Sequence, residues 1–168
     1  MSDPTCFAPS FQIHNLFAAA TTHGLTPAMW AERIQSKVNH PTWILAHLNG
    51  IRRGIARNLG ATVTESDAPA PDFGDPCLAA DQYPTPAALL SEFSELGTTI
   101  ATRLREIDAS ILQRTFEPTF PDGQDRSIGD ALSFLIAHEA LHLGQLSAIR
   151  RLHDLPGMAE VALEMMRG

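Results

Sequence analysis

A threonine followed at once by proline occurs at Thr26-Pro27 and again at Thr85-Pro86, and His40-Pro41 opens a further segment between them. Proline suits the first helical position: its fixed φ is already helical, and the N–H it lacks has no partner there. Each pair therefore marks where a helix begins, while signals for strands are almost absent. The spacing predicts a first helix over roughly 9–23, with Ile13, Leu16, Phe17 and Ala20 along it and Gly24 ending it. A short helix is expected over 27–36 and a long one over 41–59, stopped by Gly60, with Ile44, His47, Leu48, Ile51 and Ile55 on its inner face. Leu89, Phe93, Leu96, Ile100, Leu104, Ile107 and Ile111 mark another stripe at helical spacing. Ser127 with Asp130 three residues on resembles a capping box. The helix it opens has a seam reading Ile128, Ala131, Leu135, His138, His142, Gln145, Ile149 and Leu152. Pro156-Gly157 closes it, and a short tail helix is expected over 158–166.

Four amphipathic helices of this length make an all-α four-helix bundle with short extra helices, in a single domain over 1–168. Residues 61–84 hold Pro69, Pro71, Gly74, Pro76 and Pro84 and form a connection. A turn between antiparallel helices needs about 2–8 residues. This connection is long enough to run the length of the bundle, so the second and third long helices are expected to lie parallel, in an up-down-down-up order.

Composition narrows the partners. A net charge of −7 repels a phosphate backbone, which argues against nucleic acid. No apolar run approaches the roughly 20 residues of a membrane span, and the first residues lack the basic and apolar regions of a signal peptide. Cys6 and Cys77 read as free thiols in a reducing cytoplasm. The expectation is a cytoplasmic protein acting on a small molecule.

Residues 138–142 read His-Glu-Ala-Leu-His, an H-E-x-x-H motif on the last long helix. Imidazoles at i and i+4 lie one above the other on one face and can grip one metal ion. A lone buried histidine is more often a satisfied core residue; a pair on a seam that should face the core points to a metal. His47 is the best third ligand, standing between Ile44 and Ile51 on an apolar face, and His14 is the reserve. His23, His40 and His153 sit at helix ends, where capping or solvation accounts for them. Glu139 is a candidate general base, but a supporting role orienting an imidazole is the favoured reading, with an ion pair at a helix interface as the other alternative. Gln145, one turn beyond His142, is the other candidate catalytic residue, able to hydrogen-bond a water or substrate, with a plain hydrogen bond in the core as the equal alternative.

A zincin protease is the least favoured reading. Gly144 comes one residue too early for the longer zincin motif, its last position is Ala148, and no strands are available to hold a peptide. A ferritin-like di-iron site fails because Glu139 and His142 form the sole Glu-x-x-His pair. A bundle that holds metal and a small ligand without catalysis is the alternative of a different class.

With these residues in view, the chain resembles the DinB/YfiT-like family of metal-binding four-helix bundles. The likeness rests on Asn39-His40-Pro41-Thr42-Trp43-Ile44-Leu45-Ala46-His47-Leu48. It rests also on the stretch from Asp122-Gly123 through His138-Glu139-Ala140-Leu141-His142-Leu143-Gly144-Gln145-Leu146 to Arg150-Arg151. Leu143 stands where an arginine often follows the second motif histidine. The resemblance implies His47, His138 and His142 as ligands to zinc, nickel or a similar divalent ion, and a homodimer. Family members of known activity are transferases or isomerases that use low-molecular-weight thiols, and others are regarded as metal-dependent hydrolases. The function expected is therefore a metal-dependent thiol transferase or hydrolase of a small molecule.

Overall fold

The computed structural model describes residues 3–64, 69–72 and 74–167. Among these run α1 (Ala8–Thr22), α2 (Pro27–Ala31), α3 (Pro41–Asn58), α4 (Pro86–Glu106), α5 (Ile128–Leu152) and α6 (Met158–Arg167), with short 3-10 turns between them. Extended pairing among the described residues is confined to an isolated bridge between Thr115 and Ser127. Among the described residues no helix is long and apolar enough to cross a membrane.

The start signals act as side-chain caps. Thr26 Oγ1 accepts from the Met29 N–H, His40 Nδ1 from Trp43, Thr85 Oγ1 from Ala88 and Ser127 Oγ from Asp130. Each satisfies one N–H that the first turn leaves without an intrahelical partner. Past the ends of α1 and α3, Gly24 and Gly60 take φ of 75° and 76°, the left-handed conformation glycine adopts without cost.

Two expected boundaries move. The helix expected over 27–36 ends at Ala31, where Glu32 turns extended, and Gln35 and Ser36 have positive φ. Of that short helix Trp30 alone is buried, too little apolar area to hold a longer one. α4 stops at Glu106, so Ile111 belongs to the turn Ala109–Gln113.

Register fixes the topology. Asn49 meets Leu89, Arg53 meets Glu92 and Leu59 meets Arg103, so α3 and α4 run parallel. His14 meets Glu139 and Ala20 meets Arg150, so α1 and α5 are parallel too. His47 beside His142 and Arg52 against Glu139 make α3 and α5 antiparallel. Phe11 shares a core with Ile100 and Leu104, and Ala18 with Leu89 and Phe93, which opposes α1 to α4. The order is up-down-down-up.

Two apolar clusters fill the bundle, one around Phe11, Ile55, Leu104 and Leu132, the other around Trp43, Leu48, Phe93 and Leu146. Between them lies a polar layer. His14, Arg52 and Glu139 are each nearly or fully buried there, one from each of α1, α3 and α5. This turns α5 relative to the expected seam. Leu132, Leu135, Glu139, Leu143, Leu146 and Ile149 face the core, whereas Gln145 and Leu152 are exposed. The face with four leucines buries more apolar area than the seam with two histidines and a glutamine, and so it faces inward.

Candidate metal centre

Because α3 and α5 run antiparallel, His47 faces the i, i+4 pair across the helix interface. The His47 ring centroid lies 5.2 Å from that of His138 and 5.0 Å from that of His142, with the rings steeply inclined to one another. One ligand atom from each ring can be chosen so that all three lie within 4.8 Å of one another. His47 is buried, and His138 and His142 are half-buried.

Neighbouring groups set the tautomers. His47 Nδ1 lies 2.7 Å from the Pro71 carbonyl, which only accepts, so Nδ1 carries the proton and Nε2 is left bare. His142 Nδ1 likewise donates to Gln145 Oε1 at 2.9 Å, leaving its own Nε2 bare. Trp43 stacks on the His47 ring at 5.0 Å and Phe134 on His138 at 6.1 Å, which restricts ring rotation. His142 Nε2 and His138 Nε2 face each other at 3.2 Å.

This donor set fits a divalent ion. Two nitrogens each about 2.0–2.1 Å from a tetrahedral ion lie about 3.3 Å apart, close to the spacing of the His138–His142 pair. The charge state suits it as well. Burial lowers the pKa of His47, against the opposing pull of the Pro71 carbonyl and the Asp72 charge. Burial likewise lowers that of His142, against its bond to Gln145. Burial together with the two neighbouring imidazoles pushes His138 down to about 4. All three are neutral near pH 7, the form that ligates a metal.

A match to the family model of the DinB superfamily runs from residue 14 to residue 146. The chain belongs to the DinB superfamily. No curated protein matches it. The matched stretch takes in all of α3 and α4 and holds the three histidines together with Arg52 and Glu139.

In this DinB protein the glutamate of the motif does not share the space of the histidines. Glu139 is 1% exposed and points into the polar layer. Its Oε1 accepts from Arg52 at 2.6 Å and lies 2.7 Å from His14 Nδ1, and its Oε2 accepts from Arg52 Nε at 2.8 Å. Burial pushes its pKa up, but the bidentate Arg52 guanidinium and His14 outweigh this and hold the carboxyl below its ordinary value. A carboxylate so enclosed is not placed to take a proton from a group among the histidines. His14, the reserve ligand, is committed to Glu139. Gln145 is exposed, and its contact is the His142 ring. Leu143 is packed in the core. His40 caps α3 and donates from Nε2 to the Leu78 carbonyl, while His153 lies 3.3 Å from Glu32.

Three participants escape sequence reasoning. Arg52 had a signal, since it takes an inner-face position between Leu48 and Ile55, but a fully buried arginine is rare enough to be discounted. Pro71 supplies a backbone carbonyl, which no sequence pattern announces. Phe134 stacks on His138 though half of it is exposed, and its place one turn before His138 was the signal that could have found it.

Proposed function

We propose that this DinB protein is a metal-dependent enzyme. It holds a divalent ion, zinc or nickel, on His47, His138 and His142, and it activates a low-molecular-weight thiol or a water against a small-molecule substrate. The observation that carries this reading is the convergence of three neutral imidazoles while Glu139 and His14, the candidate fourth ligands, are engaged with Arg52 and each other. A structural site fills its coordination positions with protein, whereas a catalytic one keeps a position open. When bound, a divalent ion with neutral ligands supplies Lewis acidity that lowers the pKa of a thiol or water in that open position.

The chain's own residues have distinct tasks in this reading. The Pro71 carbonyl and Gln145 hold His47 and His142 in the tautomer that turns Nε2 inward. Phe134 and Trp43 stack on the His138 and His47 rings and restrict their rotation. Glu139 works at a distance: locked to Arg52, it helps hold α5 in the rotation that its leucine face favours, and so the aim of both motif histidines. The free Cys6 and Cys77 accord with a reducing cytoplasm, where small thiols are available.

The test is an assay of metal-loaded protein against a panel pairing low-molecular-weight thiols with electrophiles, alongside simple esters and amides. Turnover is expected in at least one arm, falling about a hundredfold or more in His142→Ala. Saturable binding without turnover in any arm would instead make the protein a ligand-binding bundle.

A further inference from the structure

α3 carries two glycines one turn apart, Gly50 and Gly54, leading away from His47. Glycine inside a helix is destabilising relative to alanine, so each needs a reason. Gly50 has one in packing, since a Cβ there would come within 2.9 Å of the Ala70 Cβ in the long connection. Gly54 has none: a Cβ would meet nothing within 4 Å, and its backbone is helical rather than left-handed. What lies beside Gly54 is a cleft of about 480 Å³ that begins at His47. That volume is within the range of small-molecule sites, about 300–1,000 Å³.

The cleft is held open. Opposite α3 its wall is Phe116 and Phe120, on the segment that leads into α5. The Asn58 side chain pairs with both backbone groups of Glu117, donating to its carbonyl at 2.7 Å and accepting from its N–H at 2.9 Å. This two-bond clamp holds the aromatic wall at a set distance from α3, so the wall does not collapse onto the bare helix. Apolar side chains such as Ile51 and Leu135 make up most of the remaining lining. Among the described lining residues Asp72 is the charged one, and none is a lysine or arginine. Away from His47 and Thr119 such a lining offers an anionic group little compensation and stacks well against a flat apolar body.

We infer that Gly54 is a specificity-determining residue, its missing side chain reserving room beside the histidine cluster for the uncharged, apolar, aromatic-sized body of the substrate. The inference rests on the reading of the histidine cluster as the active centre. It also explains why a position that alanine would stabilise carries glycine.

The test titrates the neutral fluorophore N-phenyl-1-naphthylamine into metal-loaded wild type, Gly54→Ala, Gly54→Leu and His142→Ala, with metal content and Tm measured on each. Wild type is expected to bind saturably. Gly54→Leu should weaken binding about tenfold or more by filling the cleft, with metal content unchanged. Gly54→Ala should weaken binding less and raise Tm. His142→Ala should bind the probe within about twofold of wild type, since the fluorophore needs no metal. If His142→Ala keeps its metal while the Gly54 series behaves as described, the metal reading fails and the cleft stands. The inference is overturned if wild type shows no saturable binding, if Gly54→Leu binds as wild type does, or if it loses metal.

Discussion

At His138, burial and two facing imidazoles hold the pKa at about 4, against an ordinary value near 6.5. His47 and His142 are shifted in the same direction. Between those two values the unfolded chain binds protons that the folded, metal-free chain does not. The contribution to stability is therefore fully present above about pH 6.5 and is lost as pH falls toward 4. Urea unfolding of metal-free protein at a series of pH values is expected to show this decline, with a shallower slope in His138→Asn. An unchanged slope would mean that the ring titrates as a solvated imidazole. The Arg52–Glu139 pair makes a second residue-scale prediction. Arg52→Met alone strands a buried carboxylate and is expected to cost about 3–5 kcal/mol in urea unfolding. The double variant Arg52→Met with Glu139→Met should recover much of that loss. The motif histidines were legible because i, i+4 spacing puts them on one face whatever that face touches. Glu139 was not, because apolar residues lie on both sides of it and leave the rotation of α5 open by about 100°.

Where α1, α3 and α4 meet, Gly97 on α4 makes room for the polar layer. A Cβ there would run into the Arg52 guanidinium and the Asn15 side chain. Arg52 also lies against the Phe93 ring at 3.3 Å and donates to the Phe93 carbonyl, so it has nowhere to retreat. Gly97→Ala is expected to lower stability by about 1–3 kcal/mol by overpacking, despite alanine's better helix propensity. Thermal unfolding beside Gly54→Ala gives the contrast, one helical glycine that crowding requires and one that crowding does not. The helix starts were legible because a cap acts within one turn, and Thr26, His40, Thr85 and Ser127 each bond three residues ahead. The end of α2 was less so, since it depends on how little of that segment is buried. The need for Gly97 arises from side chains on two other helices, which no local pattern carries.

Across the whole bundle, the parallel course of α3 and α4 follows from the length of the connection between them, and that course sets α5 antiparallel to α3. The antiparallel pairing turns His47 toward His138 and His142, so topology assembles the candidate site. This much is legible from chain lengths and helix faces. The cleft is not, because its walls come from α3, the long connection and the segment over 116–121, joined by tertiary contacts such as Asn58 with Glu117. In the proposed function imidazoles from α3 and α5 jointly hold one divalent ion. Elemental analysis of purified wild type beside His47→Ala and His142→Ala, each checked for folding, tests it most directly. About one ion per chain is expected in wild type, with most of it lost in both variants. A His47→Ala protein that keeps its full complement, or a wild type that takes up none after soaking, would contradict the account.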